Sequence, residues 1–222
     1  MEALRPFGYY IADIVKKPDF CTLPCSLLLS VSPCMSNQHP ELSCCYFEND
    51  PKERQEYQQR LGMDDAQFSR LCSEVTRLFD DEALDIDGRF LSLSDAVQFY
   101  ECHISGRIDA RVVCIACTEE CMRTLSDEGG FHLSIGGIAD TVPENAQPLG
   151  CEILGADFGS FHSWLCNGLE RNIAQSFPLR VSEYGLILNP FEEAMGFAES
   201  IQGKGEPITW LPCMLYDCTP AL

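Results

Sequence analysis

The sequence predicts an α+β domain, or an α/β one, with one central mixed sheet flanked by helices. Three observations lead there. An apolar run at 111–118 has the length and continuity of a buried strand. Phe68, Leu71, Val75, Leu78 and Phe79 recur at helical spacing after Asp64. Finally, 222 residues that are 45% hydrophobic and 10% aromatic are enough to bury a full core without disulfides, and they exclude disorder. The chain reads as one domain, with lobes at 1–106 and 107–222 as the finer division.

The elements follow in order. Residues 1–20 are mixed and yield no element. Residues 26–31 read as a buried strand closed by Pro33, and 42–47 as a second strand that places Cys44 and Tyr46 on one face and Cys45 on the other. Asp50 and Pro51 suit a helix cap and first turn, so 51–61 is an exposed helix. The amphipathic helix at 64–79 comes next. Asp85 to Gly88 form a solvated turn; set against a calcium loop, Ala83 and Ser94 fall where carboxylates are required. Ser92 and Asp95 fit a capping box for a helix to Tyr100. Thr118 caps a helix after the 111–118 strand, and Gly129-Gly130 stops it. A short strand is expected at 131–135 and another at 151–154, with 155–160 a Gly/Ser/Asp loop. A helix is expected at 162–173, a connector at 184–188, a helix from Asn189 to Ile201, and a final strand at 208–216, where Pro212 suggests an edge or a bulge.

Charge limits the function. The chain has 34 acidic and 15 basic residues, a formal net charge of −19. The second half retains only Arg111, Arg123, Arg171, Arg180 and Lys204 as cations. Such a field repels nucleic acid and anionic membranes and attracts basic proteins. No apolar stretch approaches a membrane span, and no signal peptide is evident. The 14 cysteines lie largely within apolar runs, so a reducing cytoplasm is the expected compartment.

Two groups could carry chemistry. Cys114, Cys117 and Cys121 include one Cys-x-x-Cys spacing, which can present thiolates to zinc or form a redox pair, although a core role fits their apolar surroundings. His162 and Cys166 stand four apart with Asp157 nearby, a spacing open to a nucleophile–base pair. No phosphate loop, dinucleotide fingerprint or hydrolase elbow is present, so no cofactor is expected. A thiol- or metal-dependent enzyme is the alternative reading to a binding protein.

Leu149-Gly150-Cys151-Glu152-Ile153-Leu154-Gly155, Phe161-His162-Ser163-Trp164-Leu165-Cys166-Asn167-Gly168, Glu183-Tyr184-Gly185-Leu186 and Glu206-Pro207-Ile208-Thr209-Trp210 form a run over 149–216. It resembles small uncharacterised bacterial proteins of the kind encoded beside polymorphic toxins as immunity proteins. That resemblance implies a cytoplasmic acidic inhibitor of a basic toxin domain and carries over no catalytic residue. Phe161, Trp164, Tyr184 and Trp210 are the aromatic anchors expected for such a partner.

Overall fold

The computed structural model describes residues 3–35, 39–47, 50–106, 109–131 and 138–220. Its longest strand, β1 (Arg5–Lys16), lies where the sequence reading found no element. Pro6, Gly8, Asp13 and Lys16 interrupt the apolar pattern there, yet eight consecutive residues from Pro6 to Asp13 are buried. The chain continues through β2 (Leu27–Leu29), a short helix α1 (Pro40–Ser43) and a 3₁₀ turn at Cys44–Phe47. The strand expected at 42–47 is therefore helical. Alternation over six residues does not separate strand from helix, and Pro40 in the first turn favours the helix.

Next come α2 (Pro51–Leu61), α3 (Asp65–Asp80) and α4 (Leu93–Phe99). Asp64 and Gln67 form a reciprocal capping box that starts α3, which fixes where its apolar face begins. Then follow β3 (Ala110–Cys117), α5 (Glu119–Gly129), β4 (Gln147–Asp157) and β5 (Ser160–Ser163). The last elements are α6 (Glu170–Ser176), α7 (Phe191–Ser200) and β6 (Leu211–Asp217). The helix expected at 162–173 is in fact a hairpin strand, a series of turns and then α6. Trp164, Leu165 and Leu169 have helical spacing but lie in turns. The strand expected at 131–135 lies outside the described residues apart from Phe131.

The six strands form one sheet in the order β2-β1-β3-β6-β4-β5, and every pairing is antiparallel; β6 is thus interior and not an edge strand, and Pro212 is tolerated because the β3 ladder covers only Met214 to Asp217. The fold is α+β. Alternate residues of β1 and β3 feed different cores. Tyr9, Ile11, Val112 and Cys114 meet Phe68, Leu71 and Val75 of α3 and Phe99 of α4. Tyr10, Ala12, Val113 and Ile115 meet Met122 and Leu125 of α5, along with Phe161 and Leu186. A third core packs Phe197 and Ala194 of α7 on Ile153, Trp164 and Trp210. Both faces of β3 are thus covered, which explains its unbroken apolar run.

The sheet curls. Ile187 exchanges two main-chain hydrogen bonds of 2.8 Å with Cys151 of β4, and Tyr184 O accepts from Leu29 N of β2 at 3.1 Å. The 181–188 connector thereby ties one edge of the sheet to its far side. A side-chain clasp completes the closure: Ser30 Oγ donates to Glu152 at 2.5 Å and Val31 N at 3.3 Å.

A buried cation fixes the turn between α3 and α4. Arg89 is fully buried, and its Nη2 donates to Asp85 at 2.7 Å. Its guanidinium carbon lies 4.8 Å from the Phe7 ring centroid and 4.7 Å from that of Phe131. The aliphatic stem passes over Gly8, where a Cβ would stand 2.6 Å from Arg89 Cγ and 2.8 Å from Cδ. Because the head is held at three points, the stem cannot withdraw. Gly8→Ala is therefore expected to lower the unfolding free energy by about 1–3 kcal/mol in urea denaturation, and an unchanged midpoint would contradict this packing.

Candidate functional site

The groups singled out in the sequence are dispersed. His162 lies on β5, and its Nδ1 is 2.5 Å from Glu206 Oε2. Cys166 lies in the turns after β5 with its Sγ 3.8 Å from Ser32 Oγ, and burial pushes its thiol up to about 12. A thiol held protonated is a poor nucleophile. Asp157 ends β4 opposite Ser160. His162 and Cys166 thus have different partners and form no pair with each other.

Cys114 faces the α3 core, whereas Cys117 and Cys121 lie in the α5 core. Burial raises the Cys114 and Cys121 thiols, and Cys117 beside Cys213 raises the Cys213 thiol. Among the described residues no group of three or more His, Cys, Asp or Glu is placed to hold a metal. Of the expected anchors, Phe161, Trp164 and Trp210 are core residues and Tyr184 is half-buried. Phe161 packs edge-on against Phe7 and Tyr10, and Trp210 Nε1 donates to Lys204 O at 3.0 Å. Phe161, Trp164 and Trp210 therefore stabilise the fold from within, whereas Tyr184 keeps part of its ring exposed.

The polar groups that do converge surround the open edge of β1. β2 pairs with β1 only at Ile14 to Lys16, and Phe90 pairs with it at Tyr9. Between these two pairings the edge has no strand partner among the described residues, and a pocket of about 60 Å³ lies beside it. Tyr10, Val31, His39, Ser43, Ile86 and Asp87 line it. Three elements position its polar side chains. β1 supplies Tyr10, whose hydroxyl donates to Asp87 Oδ2 at 2.5 Å. The residue before α1 is His39, whose Nε2 lies 3.0 Å from Asp13 Oδ1 of β1. The 85–89 turn supplies Asp87, whose Oδ1 accepts from Arg89 N at 3.2 Å.

The 85–88 turn was expected to be solvated. Its carboxylates in fact turn inward. Asp85 is buried against Arg89, and burial pushes the Asp87 carboxyl up to about 7, opposed by the Tyr10 hydrogen bond and the Arg89 charge. Burial, followed by the Asp87 charge, holds the Tyr10 phenol well above its ordinary range. A larger open groove of about 610 Å³ runs between the start of α4 and residues 138–144, but among the described residues exposed Glu144 is the only charged side chain in its lining.

One feature next to the pocket escaped the sequence reading. Phe158 is 93% exposed at the tip of the β4–β5 hairpin. Both central residues of that turn have positive φ, 48° at Phe158 and 72° at Gly159, as a type I′ hairpin requires. Glycine suits that region; a phenylalanine there is strained by about 1–2 kcal/mol. The tip is fixed against α5, because Gly159 N donates to Gly129 O at 2.5 Å. It also adjoins the pocket mouth: a Cβ on Gly159 would be 3.9 Å from Cγ2 of Ile86, which is itself 54% exposed. The signal was an aromatic between Asp157 and Gly159 in a loop otherwise made of small and polar residues.

Two buried carboxyls give a pH prediction. Burial raises Asp87 from 3.8 and Glu152 from 4.5, each to about 7. The folded chain therefore binds these protons more tightly than the unfolded chain does. Their stabilising effect is complete below about pH 4 and is lost as pH rises through about 7. Thermal unfolding should show a melting temperature that falls between pH 5 and 8, and Asp87→Asn and Glu152→Gln should each flatten that slope. A slope unaltered in both variants would contradict the assignment. No family model, curated protein or solved structure matches the chain, so its function has to be argued from these side chains alone.

Proposed function

We propose that this chain is an acidic protein-binding module, a cytoplasmic inhibitor of the immunity type that binds a basic toxin domain. Phe158 is the observation that carries the reading. An aromatic side chain that is 93% exposed on a left-handed backbone costs stability and fills no core. Such strain recurs at binding surfaces, where rigid aromatics serve as anchors. The setting is acidic. Asp127 and Glu128 are exposed at the C-terminal end of α5, beside the hairpin tip, where the helix dipole adds further negative potential. Carboxylates in this arrangement steer a basic partner and speed its approach, while the aromatic slows its departure.

The test begins with the full chain immobilised at low salt in an extract of its own cells, and continues with kinetics on the basic protein retained. The association rate should fall steeply as salt rises. Phe158→Ala should weaken binding by about 30-fold, mainly through faster dissociation. Phe158→Gly should weaken it equally while leaving thermal stability the same or higher, because glycine relieves the turn. An association rate indifferent to salt, or affinity unchanged by both substitutions, would contradict the reading.

A further inference from the structure

Several of the 14 thiols meet in pairs drawn from distant parts of the chain. Side-chain hydrogen bonds join Cys44 to Cys72, Cys117 to Cys213 and Cys34 to Cys166. The first two pairs are fully buried, with 0% exposure at all four residues. A sulfur sealed in a packed core is out of reach of a dissolved oxidant, and these four act as small hydrophobes. The third pair is different. Cys34 is exposed and Cys166 is half-buried.

The fold holds this third pair together. Ser32 Oγ lies 3.8 Å from Cys166 Sγ and accepts from Cys34 N at 3.4 Å, so one hydroxyl touches both residues. Ser32 is itself fixed, because its N–H donates to Ser30 Oγ at 3.1 Å and Ser30 Oγ donates to Glu152. Met35 beside Cys34 and Leu165 beside Cys166 are buried in the same core as Trp164. Packing and hydrogen bonds thus place the two chain segments side by side.

The contact spans the sheet from end to end. β2 and β5 are its outermost strands. Cys34 lies in the turn that follows β2, and Cys166 in the turns that follow β5. Ser32 and Cys166 are 134 residues apart in sequence. A bond between the two sulfurs joins the outer strands across the curl that the 181–188 connector and the Ser30–Glu152 clasp already close. Both cysteines sit in turns and not in ladders. Drawing the sulfurs from a hydrogen bond to the roughly 2.05 Å of a disulfide therefore breaks no strand pairing.

We propose that Cys34 and Cys166 are a redox-active dithiol, which a low-molecular-weight disulfide oxidises to a disulfide that bolts the two outer strands of the sheet together. This chemistry is independent of the binding-module reading. It balances as thiol–disulfide exchange. The Cys34 thiolate attacks one sulfur of the small disulfide RSSR. The RS–SR bond breaks, a Cys34–SR bond forms, and the departing RS⁻ takes up the proton that Cys34 gave up. Cys166 then loses its proton and attacks the Cys34 sulfur. The Cys34–SR bond breaks, the Cys34–Cys166 bond forms, and the second RS⁻ leaves as RSH with the proton from Cys166. Two thiols lose two electrons and two protons, and RSSR gains both as two RSH. Exposure decides the order. Burial, and after it the Cys34 charge, hold the Cys166 thiol protonated, so Cys34 attacks first. Once the Cys34 sulfur is in the mixed disulfide, that charge is gone.

The probe is oxidised glutathione, added at pH 8 to the reduced full chain at low protein concentration. Free thiols are then blocked with N-ethylmaleimide, and an unreduced digest is mapped by mass spectrometry. The expected product has two fewer free thiols among the 14 and one new cross-link, Cys34 to Cys166. The cross-linked chain should melt about 10 °C higher than the reduced one, because the bond closes a long loop of the unfolded chain. Dithiothreitol should reverse the shift. Cys34→Ser, at an exposed position, should abolish both the cross-link and the shift. Cys166→Ala and Cys166→Ser should each trap a stable glutathione adduct on Cys34, which the unaltered chain resolves to the cross-link. Cys102, the other exposed thiol, is the internal control and should hold any adduct unresolved. A stable adduct on Cys34 of the unaltered chain, a cross-link through Cys102 or between two chains, or no reaction at Cys34 overturns the proposal. A Cys34–Cys166 bond that leaves the melting temperature unchanged, or lowers it, overturns the bolting of the sheet.

Discussion

Arg89 lies against the rings of both Phe7 and Phe131 and donates to Asp85, deep within a chain that has 34 acidic residues and 15 basic ones. No other cation among the described residues is buried. The turn that carries it reaches β1 only because Gly8 lets the stem pass. With the guanidinium in place, Asp87 is delivered to Tyr10, Phe90 pairs with Tyr9, and the edge of β1 between Phe90 and β2 stays open. Removing Arg89 alone would strand Asp85 without its counter-ion and free the turn. A buried pair broken on one side costs far more than a pair replaced whole.

The same scarcity of cations shapes the rest of the molecule. Elsewhere inside, Glu152 accepts from the Ser30 hydroxyl and Val31 N, and Glu170 from the Thr22 hydroxyl and main-chain N–H. Hydrogen bonds of that kind hold a carboxyl without neutralising it, so burial prevails and Glu152 is pushed up to about 7. The outside is a field with few internal counter-ions, and the inside is a set of acceptors with one guanidinium among them. Acidity spread across both halves of the chain is thus a surface property and also a property of the pocket.

Much of the fold was legible. The α3 stripe that begins after Asp64, the Asp50-Pro51 start of α2 and the unbroken run of β3 are local signals, and each marks an element of the structure. What was hidden depends on distant partners. β1 carries Pro6, Gly8 and Asp13 in its interior; each looks like an interruption until Arg89, the bulge against β3 and His39 are brought up to it. The hairpin at Phe158 passed for a loop because its Trp164, Leu165 and Leu169 sequel has helical spacing. The site was the least legible part. Asp13, His39 and Asp87 are far apart in the chain and share no motif; β1 brings Asp13 to His39 and Tyr10 to Asp87 along the same edge. The residues that did look like a site were close in sequence only: the sheet separates Cys114 from Cys117 and Cys121, and His162 and Cys166 have different partners.

The dependence on Arg89 is open to a direct measurement, a double-mutant cycle of Arg89→Met and Asp85→Asn followed by urea denaturation. The account predicts strong coupling. Each single substitution should cost about 3–5 kcal/mol, and the double should cost clearly less than their sum, because it leaves no uncompensated buried charge. Additive costs, or single substitutions that cost little, would show that the 85–89 turn is held by something other than this ion pair and would remove the basis for the pocket beside it.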